Sequence, residues 1–184
     1  AILTNLTPGD VLFIDEIHRL SKSIEEVLYP AMESGVLDII IGKGPSARTV
    51  QLELPPFTMV AATTRISLLS SPLRSRFSGG TFRLEFYSDE EIGQILGRSA
   101  ELLGMDPTPE VISQIARRCR ATPRTANYLL KRCRDLAQLE NTDLTAEIIE
   151  KTFGLLEIDN LGLGAPDRAV LDAIINKFNG GPVG

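Results

Sequence analysis

Two short apolar runs in the first half of the chain predict β-strands. They are "VLFI" at residues 11–14 and "FTMVAA" at residues 57–62, and neither contains a charged residue. Runs of this kind are typical of strands covered on both faces, as in parallel sheets that carry helices on either side. We therefore expect two buried strands lying side by side in one parallel sheet.

Between these runs the pattern predicts one helix and one β-hairpin. In "SKSIEEVLYPAMESG" the apolar residues recur at helical spacing, with a cap at Ser21 or Ser23 and a stop at Gly35. The runs "VLDIIIG" and "RTVQLELP" then flank "KGPSA", whose Gly and Pro are typical of a hairpin turn. Because Val50 and Leu52 alternate with polar residues, the hairpin is expected to have one apolar and one polar face.

The pattern changes near Tyr87. Before it, "ISLLSSPLRSRF" predicts a short helix and a loop, and "TFRLEFY" predicts one more strand. After it only helices are predicted, the first with a capping box of Ser88 and Glu91, and later ones starting at Thr-Pro pairs or at Thr145. We expect an α/β part, a small helical domain, and a linker with the start of a third domain, at residues 1–87, 88–158 and 159–184.

Composition places the chain among ordinary globular proteins. Of its 184 residues 43% are hydrophobic and 23% are charged, and no apolar run approaches the roughly 20 residues of a membrane span. The start of the chain shows no secretory signal, and Cys119 and Cys133 have neither metal-site spacing nor a nearby His. We expect reduced thiols in a soluble, cytoplasmic protein. A net charge of −5 argues against general coating of nucleic acid, although local basic surfaces stay possible.

Asp15 and Glu16 directly follow the first apolar strand. Open α/β sheets bind their ligands at the carboxyl ends of the strands. Two acids at that edge can hold a hydrated Mg²⁺ and orient a water for attack on a phosphate, which is the Walker B role in a P-loop NTPase. The alternative is that the acids only stabilise the positive N-terminal end of a following helix.

Four groups of polar residues follow one another along the chain in a specific order. They are the acidic strand end (Asp15, Glu16), a threonine at the second strand end (Thr64), arginines after Ser-Pro (Arg74, Arg76), and an arginine at a helix start (Arg124). This order resembles the AAA+ ATPases, in which these groups are Walker B, sensor 1, the arginine finger and sensor 2. The blocks "FIDEIHRL", "EEVLYPAME", "ATTR", "SPLRSRF", "ATPRTAN" and "NKFNGGPVG" resemble the RuvB family over essentially the whole chain.

The resemblance implies a fold and a function. The fold is α/β: the C-terminal half of a P-loop NTPase-type (AAA+) parallel sheet, then a small all-α lid domain and the start of a winged-helix domain. The function is that of an ATP- and Mg²⁺-dependent motor, a homo-hexameric ring that acts with RuvA on Holliday-junction duplex DNA. Within enzymes, the alternative is another AAA+ machine such as a clamp-loader subunit.

The resemblance also implies a role for each site residue. Asp15 supports Mg²⁺, Glu16 polarises the attacking water, and Thr64, favoured over Thr63, contacts the γ-phosphate or that water. Arg76, favoured over Arg74, is the finger that enters the active site of a neighbouring subunit. Arg124 contacts the nucleotide phosphate, which would explain a positive charge at the unfavourable end of a helix dipole.

Three further features stay open at the level of sequence. His18 is the only histidine and is expected to be a hydrogen-bonded structural residue. The seven basic residues from Arg117 to Arg134 are expected mainly to form a solvated face. The apolar face of the hairpin is either core or a patch for RuvA, and its residues are Ile39, Ile41, Val50 and Leu52.

The phosphate-binding signature G-x-x-x-x-G-K-[ST] does not occur in the sequence. The expected explanation is an internal fragment that begins after the P-loop and ends inside a winged-helix domain. Such a fragment is expected to be inactive alone, whereas the complete protein is expected to be an ATP hydrolase and DNA translocase. The alternative from another class is a non-catalytic AAA+ scaffold that has lost its P-loop.

Overall fold

The computed structural model describes residues 2–42 and 48–182, and the chain divides into two compact units at residues 1–83 and 84–184. The first unit is α/β and the second is helical, as the resemblance implies. In the first unit the elements are, in chain order, β1 (Val11–Ile14), α1 (Lys22–Glu33), β2 (Val36–Ile41), β3 (Arg48–Glu53), β4 (Thr58–Ala61) and α2 (Ser71–Ser75). Short 3₁₀ turns lie at Leu3–Asn5, Ile17–Arg19 and Ile66–Leu68.

β1 and β4 form a two-stranded parallel sheet, which confirms that the two apolar runs lie side by side. Their register pairs Val11 with Thr58 at one end and Ile14 with Ala61 at the other. Because the strands are parallel and in this register, both chains leave the sheet at the same edge. The polar residues that follow β1 therefore meet the polar residues that follow β4.

The prediction that these strands are covered on both faces is wrong for the described residues. Leu12 and Ile14 are half-buried, but Val11 and Phe13 on the opposite face are 63% and 59% exposed. Successive side chains of a strand point to opposite faces. An apolar run shows which side chains favour burial, but it does not show whether an element packs on each face, and here no described element covers the second one.

α1 packs one face against the first unit's small core. It begins after Ser21, although the Ser21 side chain makes no capping hydrogen bond, and it ends just before Ser34 and Gly35. Gly35 has a φ of 66°, a left-handed conformation that glycine adopts readily. The buried apolar residues of this unit are Ile17, Leu28, Ala31, Leu37 and Leu73.

β2 and β3 form the expected hairpin, and the predicted turn at residues 43–47 lies outside the described residues. The antiparallel register pairs Ile39 with Val50 and Leu37 with Leu52, which places these residues on one face. Of that face only Leu37 is buried. The four residues of the predicted patch are between 38% and 58% exposed, so they are not core residues.

The strand predicted from "TFRLEFY" is absent, since residues 81–88 have no regular secondary structure. Their alternation is strand-like, but Phe82, Leu84 and Phe86 are 84%, 91% and 83% exposed. A strand is stabilised by its hydrogen-bonded neighbour, and no described strand pairs with this segment. The division between the two compact units falls inside it, after Arg83.

The second unit consists of helices whose starts follow the sequence signals. Ser88 and Glu91 form the expected reciprocal capping box, and the Thr145 hydroxyl accepts the Ile148 N–H. Thr108 and Thr122 stand at N-cap positions with proline directly after them, as predicted. The helices are α3 (Asp89–Leu102), α4 (Pro109–Arg118), α5 (Pro123–Glu140), α6 (Ala146–Leu155) and α7 (Ala165–Phe178).

Helices α3 to α6 share one apolar core. Among its fully buried side chains are Leu96, Ile115, Leu130 and Phe153, one from each helix. α7 contributes no buried residue. The helical domain therefore has a core that does not depend on α7. None of the described helices is both long and apolar enough to span a lipid bilayer.

The two cysteines are buried in this core, as free thiols. Burial raises the pKa of the Cys133 thiol to about 11 and also raises the pKa of Cys119. Since the thiolate is the reactive form, both thiols should resist alkylation at pH 8 in the folded protein. We expect iodoacetamide to label them only after unfolding, as measured by peptide mass spectrometry. Labelling of folded protein at the rate of a free thiol would contradict this burial.

Candidate active site

The candidate site begins where β1 and β4 end. The Ala62 N–H donates to the Ile14 carbonyl at 2.9 Å, and the Ile17 N–H donates to the Ala62 carbonyl at 3.0 Å. These two bonds continue the contact between the chains beyond the last paired residues of the strands. They bring Glu16, which follows β1, next to Thr64, which follows β4.

Glu16 and Thr64 are in direct contact. The Thr64 N–H donates to Glu16 Oε2 at 3.2 Å, and the Thr64 hydroxyl lies 3.2 and 3.1 Å from the two carboxylate oxygens. The Thr64 N–H is the main cause of a lowered pKa of Glu16; desolvation opposes it, and the Thr64 hydroxyl lowers the pKa further. Glu16 is thus an ionised carboxylate at neutral pH, held at the shared edge of the sheet.

The backbone of Glu16 is left-handed, with φ 48° and ψ 47°. Residues with a side chain rarely adopt this conformation, and functional sites are among the places where such backbone strain clusters. Its N–H donates to Asp15 Oδ1 at 3.0 Å. The turn ends the strand at this point, and the carboxylate of Glu16 contacts Thr64, which follows β4.

His18 lies beside the same carboxylate. Its Nδ1 is 3.1 Å from Glu16 Oε2 and 2.9 Å from the Thr63 hydroxyl, which also accepts the Arg65 N–H at 3.1 Å. The hydrogen bond expected for His18 is therefore present, but sequence reasoning missed the contact with Glu16. The available signal was its spacing, two residues after Glu16 in a segment too short to leave the strand end.

Asp15 is suited to be the single carboxylate ligand of a magnesium ion. Its side chain is exposed, Oδ1 accepts the Glu16 N–H, and Oδ2 has no partner among the described residues. No cluster of three or more metal-binding side chains occurs in the described part of the chain. Mg²⁺ in phosphoryl-transfer sites is held by one or two carboxylates together with water and substrate phosphates, so a complete protein cage is not needed.

Arg76 is tied to α1 and makes no described contact with Asp15, Glu16 or Thr64. Its guanidinium stacks 4.3 Å from the centre of the Tyr29 ring, and its Nη2 lies 2.8 Å from Glu33 Oε1. Nη1 donates to the Pro72 carbonyl at 2.6 Å. Two residues earlier, Arg74 is exposed.

A buried carboxylate fixes the ring beneath Arg76. Glu25 is buried in α1 and accepts hydrogen bonds from the Ser70 hydroxyl at 2.6 Å and from the Tyr29 hydroxyl at 3.0 Å. Ser70 is also the N-cap of α2, where it accepts the Leu73 N–H. One network therefore links α1 with α2 and sets the place of the guanidinium.

Arg124 lies in the second unit, in the first turn of α5, and is exposed. No acidic residue stands in that turn to balance its charge. Four of the basic residues around it form ion pairs within the unit: Arg118 pairs with Glu150, Arg120 with Asp167, and Arg132 and Arg134 with Asp135.

Two family models match the chain. Residues 1–84 match the model described as the Holliday junction DNA helicase RuvB P-loop domain, and residues 87–159 match the RuvB AAA lid domain. Among curated proteins, the Holliday junction branch migration complex subunit RuvB of Dehalococcoides mccartyi is 57% identical over 185 residues, covering 100% of this chain and 53% of that protein.

Solved structures of Thermotoga maritima RuvB have the same fold. A single-residue variant superposes with a TM-score of 0.86 at 44% identity and covers 100% of this chain and 57% of its own. The structure described as the Thermotoga maritima RuvB Holliday junction branch migration motor gives a TM-score of 0.84, also at 44% identity, and 56% of it is covered. The chain thus spans about half the length of the relatives that it matches.

Proposed function

The chain belongs to the RuvB family of AAA+ ATPases, and from this premise we propose that the complete protein is an ATP-driven motor subunit for Holliday-junction branch migration in homologous recombination and DNA repair. The observation that carries the proposal is the contact between Glu16 and Thr64 at the shared strand edge. It joins an ionised carboxylate and a hydroxyl where open α/β sheets bind their ligands.

Hydrolysis is assigned to the residues at this edge. The Glu16 carboxylate accepts a hydrogen bond from the attacking water and orients it, while the Thr64 hydroxyl holds the carboxylate or the γ-phosphate. Asp15 would hold Mg²⁺ together with ATP phosphates, and the metal would neutralise charge on the phosphoryl group being transferred.

Arg76 is assigned to contact the nucleotide bound by a neighbouring subunit. Arg124 is assigned to contact the nucleotide of its own subunit. Arg76 is anchored on Tyr29 and Glu33 and touches none of the residues at its own strand edge, which supports action across a subunit interface. Arg124 stands exposed at a helix N-terminus, where its positive charge needs an anionic partner. A finger that acts in trans requires a ring or a chain of subunits, and we propose a homo-hexamer.

The hairpin is the proposed docking surface for RuvA. Its apolar face carries Ile39, Ile41, Val50 and Leu52, which are half-exposed and adjacent in the antiparallel register. Such a contiguous apolar patch on a surface commonly marks a protein interface. The other proposed partner is Holliday-junction duplex DNA, and the proposed compartment is the cytoplasm, where free buried thiols such as Cys119 and Cys133 stay reduced.

Glu16→Gln in the complete protein tests the hydrolytic assignment. The amide keeps the size of the side chain but loses the charge that orients water, so ATP should bind with near-normal affinity and turn over at least about 100-fold more slowly. Binding is measured with a fluorescent ATP analogue and turnover by phosphate release. Normal turnover would remove Glu16 from the mechanism, and no turnover even in the parent protein would favour a non-catalytic scaffold.

Arg76→Ala tests action in trans, with Arg74→Ala as the matched control two residues away. Arg76→Ala should bind ATP and hydrolyse it about 10³ to 10⁵ times more slowly, because finger residues contribute that much to phosphoryl transfer. Arg74→Ala should stay close to the parent rate.

Mixing Arg76→Ala with Glu16→Gln protein should restore part of the activity. Some interfaces in mixed rings then join an intact carboxylate from one subunit with an intact arginine from the other. Phosphate release is measured across mixing ratios, with mixed rings verified by mass photometry. If mixed rings form and are no more active than their parts, the arginine does not act across the interface.

Ile39→Asp tests the hairpin, with Ile40→Asp as its matched control. The two residues are neighbours in β2, but Ile39 lies on the apolar face and Ile40, which is 71% exposed, lies on the opposite one. A buried charge at the docking surface should weaken RuvA binding at least about 10-fold in surface plasmon resonance, whereas Ile40→Asp should not. The basal ATPase rate should stay unchanged in both, and equal loss of binding in the two variants would exclude this face.

A further inference from the structure

We propose that His18 is a positioning residue for hydrolysis, which holds the Glu16 carboxylate through the hydrogen on Nδ1. The inference rests on the proposed role of Glu16 and extends it to a residue for which neither the sequence nor the family match indicates chemistry. His18 comes from the turn Ile17–Arg19, so it approaches the carboxylate from its own segment, while Thr64 approaches from the end of β4.

The surroundings of Nδ1 determine which ring nitrogen carries hydrogen. Nδ1 lies 3.1 Å from Glu16 Oε2, and Glu16 is an ionised carboxylate with a lowered pKa. A lone pair on Nδ1 at this distance would be repelled by the carboxylate, whereas an N–H would donate to it. The neutral tautomer with hydrogen on Nδ1 is therefore favoured, and the imidazolium form places a hydrogen there as well.

Thr63 completes the support of the ring. Its hydroxyl oxygen accepts the Arg65 N–H and lies 2.9 Å from Nδ1, so it can share the Nδ1 hydrogen with Glu16. The imidazole side chain is only 9% exposed. A ring that is packed and hydrogen-bonded in this way has little freedom to rotate, and it can therefore transmit its position to the carboxylate.

The consequence is an unequal use of the two oxygens of Glu16. Oε2 accepts the Thr64 N–H and lies 3.1 Å from His18 Nδ1, and the Thr64 hydroxyl lies within reach of both oxygens. Oε1 is left with lone pairs for a water. Loss of the His18 contact would leave the carboxylate held only from the Thr64 side, and a side chain that is 38% exposed would then be less restricted in its rotation.

The test compares three variants of His18 in the complete protein. Leu has a similar bulk but no hydrogen-bond donor. Asn places an amide N–H near the position of Nδ1, and Gln places one near the position of Nε2. We expect Leu and Gln to lower kcat about 10-fold or more while KM changes less than about twofold, because a hydrogen bond to a charged group is lost. Asn should recover most of the parent rate.

A double-mutant cycle with Glu16→Gln shows whether His18 acts through Glu16. His18→Leu should cause no further loss in the Glu16→Gln background, measured by single-turnover phosphate release. Thermal unfolding of each variant confirms folding, and if the Leu variant does not fold, the comparison of Asn with Gln decides.

Three outcomes would each overturn the inference. They are full activity of His18→Leu, equal kcat for the Asn and Gln variants, and the same fractional loss of turnover on His18→Leu in the parent and in the Glu16→Gln background. These outcomes leave the proposed function intact as long as Glu16→Gln is slow. Normal turnover by Glu16→Gln would instead overturn the proposed function, and the role of His18 with it.

Discussion

The left-handed backbone of Glu16 is the constraint on which the arrangement at the strand edge depends. A residue with a side chain adopts this conformation at a cost of roughly 1–2 kcal/mol, so its neighbours must stabilise it. The stabilising contacts come from both sides: the Ile17 N–H reaches the Ala62 carbonyl, and the Glu16 side chain reaches Thr64. All of them require β1 and β4 to be parallel neighbours in the observed register.

This constraint explains why the chain turns directly after a strong strand signal. If Glu16 were extended, β1 would continue and the carboxylate would point to one face of the sheet. The left-handed residue is instead followed by a single 3₁₀ turn at Ile17, whose side chain is buried, and His18 in this turn lies beside the carboxylate. The strained backbone of Glu16 and the hydrogen bonds of its side chain therefore belong to one local structure.

A second, separate network governs Arg76. Its position depends on a buried carboxylate, Glu25, which is tolerated because two hydroxyl groups donate to it. Removal of one donor would leave a poorly satisfied charge beneath the Tyr29 ring, so the network stabilises the link between α1 and α2 as a unit. The arginine proposed for the subunit interface is therefore positioned by helices rather than by a free loop.

In the second unit, four of the seven basic residues near α5 form ion pairs, and Arg124 is an exposed charge at a helix start.

The sequence by itself determined the elements whose cause is local. Caps such as Ser88 and Thr145, the apolar spacing of the helices, the two parallel strands and the family all follow from residues close together in the chain or from their order. Tertiary structure decided whatever needs a distant partner. "TFRLEFY" alternates like a strand but has no described strand to pair with, and one face of β1 is uncovered. The contacts of His18 with Thr63 and of Glu16 with Thr64 exist only because β4 lies beside β1. Side-chain alternation is a property of the segment, whereas hydrogen-bond pairing and burial are properties of what lies next to it.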